Sequence, residues 1–199
     1  MKPQVDVNGI REAVRKRYAE VSHSGAGRFE YLTGRAGALA LGYDSTMLEG
    51  LGDDTLVAFC GVGNPFALGA LHSGEAVLDV GCGAGVDLLI AARLVGPNGK
   101  VCGLDLTPEM VEKARAKLSQ IGVPNAEVTL GAAEAMPFED GSFDVVISNG
   151  VLNLSPLKEH TYREIYRVLR ADGRLQFADI VLKEDLAPEI AGSLGAWSD

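Results

Sequence analysis

The chain has 199 residues, of which 47% are hydrophobic, and this is enough apolar material for one globular domain with a buried core. Its formal net charge of −9 opposes binding to phosphate backbones and to anionic lipid surfaces, so we expect neither nucleic acid nor a membrane as partner. The three cysteines, Cys60, Cys82 and Cys102, form no CxxC pair and no even set, which excludes the usual patterns of a structural metal site or a disulfide framework.

The amino terminus lacks the apolar core of a signal peptide, and no uncharged apolar run reaches the length of a membrane span. These two features predict a cytoplasmic protein.

Residues 1–72 are predicted to be a helical and loop extension ahead of a domain at 73–199. An apolar stripe with helical spacing predicts an amphipathic first helix, and it consists of Ile10, Val14, Tyr18 and Val21. Residues 22–42 are rich in glycine and serine and are predicted to be a loop, whereas Asn64 and Pro65 indicate a short helix that ends near His72. A basic amphipathic helix of this kind can pack on the edge of the sheet.

From residue 76 onwards, β-branched segments alternate with helical patterns, which predicts an α/β fold with a doubly wound, Rossmann-like parallel sheet. The predicted strands cover 76–81, 100–106, 126–131, 143–149 and 174–180. The predicted helices cover 86–95, 107–122 and 155–173, and weaker signals indicate a last helix at 186–194.

A glycine loop joins the first predicted strand directly to a helix, with glycine at positions 81, 83 and 85. Such a loop lets the backbone turn tightly and approach a ligand, while free N–H groups at the helix start favour a negative group. Asp105 ends the second strand 24 residues after Gly81, where its carboxylate can accept hydrogen bonds from both ribose hydroxyls. Together these features predict a ligand that contains adenosine.

The glycine spacing G-x-G-x-G is one residue shorter than that of dinucleotide sites, and Asp79 would place a carboxylate beside a pyrophosphate. Both features disfavour a nicotinamide-dependent oxidoreductase, which we keep as an alternative. S-adenosylmethionine fits better, because it combines adenosine with a sulfonium cation.

The ordered motifs resemble those of class I S-adenosylmethionine-dependent methyltransferases of the arsenite and ubiquinone/menaquinone-biosynthesis types. The matching segments are VLDVGCGAGVD (77–87), GLDLTPEMVEKAR (103–115), FDVVISN (143–149) and EIYRVLRADGRL (164–175). The resemblance implies S-adenosylmethionine as cofactor, with the first helix of the extension 1–72 folded over it as a lid; packing on the edge of the sheet is the alternative for this helix. The resemblance also implies two further strands after the fifth, which the sequence does not supply, so we expect the C-terminal strands to be missing from this chain.

The same resemblance implies eight cofactor-binding residues, namely Asp79, Gly81, Gly83, Asp105, Leu106, Ala133, Glu134 and Asn149. The two glycines would pass under the methionine part, Asp79 would hold the loop or the amino group, and Asp105 would bind the ribose. Leu106, Ala133 and Glu134 would contact the adenine, and Asn149 would lie next to the methyl group. The alternatives are that Glu134 is a solvated loop charge and that Asn149 merely ends a strand.

A narrower resemblance to arsenite methyltransferases rests on GNP (63–65), SNGVLNLSP (148–156) and ADIV (178–181). In that family cysteine thiolates bind trivalent arsenic. Two of those cysteine positions are Val62 and Gly150 here, and Cys60 lies two residues before Val62. The resemblance therefore implies methyl transfer to a small molecule, arsenite methyltransferase-like but without these arsenic-binding cysteines; a cofactor-binding module without turnover is the alternative.

Methyl transfer to a nucleophile is an in-line displacement with a neutral leaving group, so positioning matters more than acid–base help. Asp87 and Asp179 are the nearest candidates for a base, each with a structural role as the alternative. The sequence assigns no catalytic residue and no oligomeric state.

Overall fold

The computed structural model describes residues 6–181, whose strands form one parallel five-stranded sheet. The strands are β1 (Ala76–Val80), β2 (Lys100–Asp105), β3 (Ala126–Leu130), β4 (Phe143–Asn149) and β5 (Leu169–Ala178). They pair in the order β3-β2-β1-β4-β5, and all four pairings are parallel. The predicted Rossmann-like α/β fold is therefore confirmed.

The helices are α1 (Val7–Val21), α2 (Gly34–Ala40), α3 (Asp53–Leu56), α4 (Val86–Val95), α5 (Pro108–Ile121) and α6 (Lys158–Val168). Short 3-10 helices cover Ser45–Leu48, Pro65–Leu68 and Leu152–Leu154. Among the described helices, none has the length and apolar character that a membrane crossing needs.

The core forms where α4 packs beside the central strand. Leu88, Leu89 and Ile90 of α4 are at most 2% exposed, and β1 is buried from Val77 to Val80. Burial of each such side chain contributes about 1.5–3 kcal/mol, so this layer holds the carboxyl end of β1 in a fixed position.

The amino-terminal extension is more helical than the sequence predicts. The predicted first helix is present, and its residues Ile10, Val14 and Val21 are buried. The predicted loop 22–42 is wrong in its second half, where α2 forms; its Ala38 is fully buried, so tertiary packing offsets the low helix propensity of the glycines there.

The boundary between α6 and β5 also differs from the prediction. The helix ends at Val168 instead of Gly173, because Leu169 already pairs with Phe143 of β4. The register then shifts, and regular pairing resumes at Arg174, where the strand was predicted to begin. The helix predicted at 186–194 lies outside the described residues.

Candidate functional site

One cavity opens at the carboxyl ends of the strands, where the strand order reverses between β1 and β4. This is the place where open α/β sheets bind ligands. The space between the cavity walls measures about 1050 Å³, including the open mouth. All eight residues predicted from the sequence line it, namely Asp79, Gly81, Gly83, Asp105, Leu106, Ala133, Glu134 and Asn149.

The glycine loop forms the floor of the cavity. Gly81 and Gly83 have φ values of +75° and +51°, a left-handed backbone that side chains rarely adopt. A Cβ atom on Gly81 would also lie 2.2 Å from a methyl carbon of Val151. The loop conformation therefore requires glycine at position 81 for two independent reasons.

Asp105 ties the loop to the end of β2. Its Oδ2 accepts the backbone N–H of Gly83 at 2.8 Å, and its Oδ1 accepts that of Thr107 at 2.8 Å. Burial raises the pKa of the carboxyl group, although these hydrogen bonds oppose the rise. A carboxylate has about four acceptor positions, so lone pairs remain for the hydroxyls of a ribose.

Asp79 is a buried acidic residue at the end of β1. Its residue is 2% exposed, and its Oδ2 has no hydrogen-bond partner among the described residues. Burial, followed by repulsion from Asp87 and Asp105, raises the pKa of Asp79 well above its usual range. A carboxylate oxygen without a partner at a ligand cavity fits the cationic part of S-adenosylmethionine. An opposite charge there would offset the free-energy cost of keeping the buried carboxylate ionised.

Glu134 lies at the other end of the cavity, beside β2 and β3. Its carboxylate accepts the hydroxyl of Ser155 at 2.8 Å and lies 3.3 Å from the guanidinium of Arg11 in α1. The Glu134 side chain is only 6% exposed, so the alternative of a solvated loop charge is wrong. The ion pair also fixes α1 above the adenine end of the predicted site.

Asn149 ends β4, and its side-chain amide is held by hydrogen bonds within the protein. Its Oδ1 accepts the N–H groups of Val62 and Gly63 at 2.8 and 3.1 Å. Its Nδ2 donates to Gly63 O, Tyr43 Oη and Asp87 Oδ2 at 2.9, 3.0 and 3.1 Å. Asn149 therefore fastens the segment 62–63 to the cavity wall, which is more than a strand-ending role.

The two candidate bases have different surroundings. Asp87, in the first turn of α4, lines the cavity, and its Oδ1 accepts the hydroxyl of Tyr43 at 2.7 Å. Burial raises the pKa of Asp87 to about 6, although hydrogen bonds from Tyr43 and Asn149 lower it. Asp179 instead accepts the backbone N–H groups of Asn153 and Ile180 at 2.8 Å each and is not part of the cavity wall.

The positions that correspond to family cysteines lie side by side. A Cβ atom on Gly150 would lie 3.4 Å from both methyl carbons of Val62. The nearby Cys60 lines the cavity, but burial raises its pKa to about 12, so it is a thiol at neutral pH. Among the described residues, no group of three or more histidine, cysteine or acidic side chains is arranged to hold a metal ion.

Sequence reasoning missed two side chains that shape the site. Tyr43 is 3% exposed and contacts Asp87 across 44 positions of the sequence, and no local motif marks it. Arg11 belongs to the polar side of the α1 pattern, and only the folded chain shows that it reaches Glu134.

Comparison with known proteins places the chain beside several enzymes. A family model described as a methyltransferase domain matches residues 71–197. An arsenite methyltransferase from Halobacterium salinarum is 40% identical over 190 residues, covering 88% of this chain and 48% of that protein. A demethylmenaquinone methyltransferase from Lactococcus lactis is 43% identical over 103 residues, covering 52% of this chain and 41% of that protein.

Solved structures give the same picture. The crystal structure of an arsenic (III) S-adenosylmethionine methyltransferase from Chlamydomonas reinhardtii matches with a TM-score of 0.61 and 36% identity, over 77% of this chain and 50% of that one. A SAM-dependent methyltransferase from Aquifex aeolicus matches with a TM-score of 0.55 and 28% identity, over 63% of this chain and 70% of that one. The chain spans about half the length, or less, of the curated relatives it matches.

Proposed function

The chain belongs to the methyltransferase-domain family, and from this premise we propose that it transfers the methyl group of S-adenosylmethionine to a small molecule. The proposed pocket is of the arsenite methyltransferase type, but it holds its acceptor without protein thiolates. The observation that carries the proposal is the juxtaposition of two buried acids at the glycine loop. We assign Asp105 to the ribose hydroxyls, and we assign Asp79, whose Oδ2 has no partner among the described residues, to the cation of the cofactor.

From the order of the strands we assign one end of the cavity to the adenine and the other end to the methyl group. Leu106, Ala133 and Glu134 follow β2 and β3, and we assign them to the adenine. Asp79 and Asn149 end β1 and β4, so the methionine and methyl end lies there. When bound, the cofactor supplies an electrophilic methyl group on a sulfonium, and the chain's own task is to align the acceptor with it and exclude water.

The acceptor wall supports binding without thiolates. Val62 and Gly150 offer no sulfur, and Cys60 is held in its protonated form. Soft trivalent arsenic prefers thiolate ligands. We therefore propose that the acceptor is not attached to this protein through arsenic–sulfur bonds, although the similarity to arsenite methyltransferases supports a pocket of related shape.

Two measurements test the proposal. Calorimetry with S-adenosylhomocysteine and with NADH should show binding of the first alone, since the cavity presents acids where a pyrophosphate would lie. Tritium from methyl-labelled S-adenosylmethionine should then move to an acceptor such as arsenite or a naphthohydroquinone. Cofactor binding without transfer to any acceptor would instead favour the module without turnover, and preference for NADH would overturn the assignment.

A gain-of-function pair tests the acceptor wall itself. The variant Val62→Cys/Gly150→Cys introduces two thiols at positions that lie in contact, so we expect it to bind arsenite and to methylate it faster than the natural chain. The single variants are the matched controls, because each adds one thiol and leaves the cavity thiols Cys60 and Cys82 unchanged. Equal arsenite methylation by the natural chain and the double variant would contradict a pocket without thiolates.

A further inference from the structure

Two buried acids lie at the methyl end of the cavity, and among the described residues that line this end no cation of the protein faces them. The carboxylates of Asp79 and Asp87 both line this end. Among the described residues that line the cavity, Arg11 is the single cation, and it pairs with Glu134 at the adenine end. An anionic acceptor would therefore meet the buried Asp87 carboxylate, which repels it in a medium of low dielectric constant.

Among the described residues, the side-chain donors that hold Asp87 are neutral. The Tyr43 hydroxyl donates to one carboxylate oxygen at 2.7 Å, and the Asn149 amide donates to the other at 3.1 Å. Each oxygen keeps a lone pair, so the carboxylate can accept one more proton or hydrogen bond from the cavity. Tyr43 and Asn149 therefore fix the orientation of the Asp87 carboxylate without neutralising its charge. A general base is oriented by its hydrogen-bond partners in the same way.

From this geometry we infer that Asp87 is the general base of the methyl transfer, and that the acceptor is an uncharged molecule that loses a proton from its nucleophilic atom or from a hydroxyl group bound to that atom. The inference rests on the proposed function and deepens it. It assigns to Asp87 a direct contact with the acceptor, and to Tyr43 and Asn149 the role of positioning residues that act through Asp87.

The reaction balances without an oxidant or a reductant. A lone pair of the acceptor atom forms the bond to the methyl carbon while the carbon–sulfur bond breaks. The sulfur leaves with that electron pair as a neutral thioether. The acceptor proton moves to the Asp87 carboxylate, which later releases it to water.

The groups that face Asp87 set its protonation. Asp79 of β1 repels its charge, the Tyr43 hydroxyl and the Asn149 amide of β4 stabilise it, and burial is the largest effect. The resulting pKa of about 6 leaves the group ionised at neutral pH and still basic enough to accept a proton. Other acids of the region are less suitable, since Asp179 caps backbone N–H groups outside the cavity.

The test measures initial rates of tritium transfer from pH 5 to 9 at saturating cofactor. The acceptors are arsenite, naphthohydroquinone under anaerobic conditions, and the carboxylated counterpart of the latter, dihydroxynaphthoate. For an active uncharged acceptor, the rate of the natural chain should rise with pH through a single titration step. We call this rising part of the pH–rate profile the limb. Asp87→Asn should lose about 100-fold or more in rate, while its affinity for S-adenosylhomocysteine changes by less than about threefold.

Tyr43→Phe separates catalysis from a merely structural role. It removes a hydrogen bond that lowers the pKa of Asp87, so the limb should move upward by about one pH unit. Asp179→Asn is the matched control, because it removes a nearby acid outside the cavity and should leave the limb in place. Melting temperatures of all variants report whether each remains folded.

Each outcome decides a different statement. A limb that moves only in Tyr43→Phe, with loss of rate in Asp87→Asn, supports the inference. Transfer that is unaffected by Asp87→Asn, or a limb that stays in place in Tyr43→Phe, overturns Asp87 as base while the proposed function stands. Preference for dihydroxynaphthoate overturns the uncharged acceptor, and absence of transfer to all three acceptors removes both the inference and the proposed turnover.

Discussion

Gly81 combines two constraints that can be separated by comparison with Gly122. Both glycines have a left-handed backbone, with φ of +75° and +72°, but a Cβ atom would meet Val151 only at position 81 and open space at position 122. Gly122→Ala should therefore cost about 1–2 kcal/mol of unfolding free energy from backbone strain alone. Gly81→Ala should cost about 1–3 kcal/mol more because of the clash, and it should abolish binding of S-adenosylhomocysteine. Denaturant unfolding measures both, and equal losses would contradict the packing role of Val151.

Asp105 provides a test of the ribose contact. Asp105→Ala should weaken binding of S-adenosylhomocysteine by about 1–3 kcal/mol, because ligand hydroxyls and the N–H groups of Gly83 and Thr107 lose their acceptor. Asp105→Asn is the control, since it keeps one acceptor oxygen and should lose less. Calorimetry gives both affinities, and an unchanged affinity in Asp105→Ala would remove the ribose assignment.

At the level of single residues, the sequence identifies positions that motifs mark and misses those that only tertiary contact brings in. Asp79, Gly81 and Asp105 are predictable because each ends a strand or forms its turn, and all carboxyl ends of a parallel sheet meet at one edge. Tyr43 reaches Asp87 from an irregular segment, and no local pattern records such a contact.

Helix α1 lines the cavity through Arg11, Val14 and Tyr18, and its attachment can be tested through two arginines. Arg11 forms an ion pair with the buried Glu134 carboxylate, whereas Arg15 forms an exposed pair with Glu12 one turn along the same helix. Exposed pairs contribute about 0–1 kcal/mol, and loss of a partner of a buried charge costs more. Arg11→Gln should speed release of S-adenosylhomocysteine about tenfold, and Arg15→Gln should change it by less than about twofold. Stopped-flow release rates decide this, and equal effects would show that α1 is not held by Glu134.

Secondary-structure elements are predictable where their periodicity is strong and uncertain at their ends. The strands β1, β2 and β4 follow mainly apolar runs, which burial on both faces requires, and they are found where predicted. The edge strand β3 is also found where predicted, although only Val128 in it is buried. The end of α6 was misplaced because Leu169 suits a helix equally well, and its pairing with Phe143 is a long-range contact. Helix α2 was missed for a similar reason, since the burial of Ala38 outweighs the glycines around it.

For the molecule as a whole, folding is coupled to the protonation of the cavity acids. Burial raises the pKa of Asp79, and it raises that of Asp87 to about 6, whereas an unfolded aspartate has a pKa of about 3.9. Between about pH 4 and pH 6 the folded protein therefore binds a proton that the unfolded chain has released. By linkage this contribution to the free energy of unfolding falls as pH rises, and the fall is complete above the folded pKa.

Cofactor binding should reverse that cost at Asp79, because a cation beside its carboxylate lowers its pKa and releases a proton. We expect the Kd for S-adenosylmethionine to fall as pH rises from 5 to 7, by at most about tenfold per pH unit for each proton released. Calorimetry in two buffers of different ionisation enthalpy counts those protons directly. The melting-temperature difference between bound and free protein should widen over the same range. Surface carboxylates titrate in both states, so their contribution to the pH dependence cancels in this difference. Asp79→Asn should release fewer protons on binding. A Kd that stays constant from pH 5 to 7 would show that Asp79 does not face the cofactor's charge.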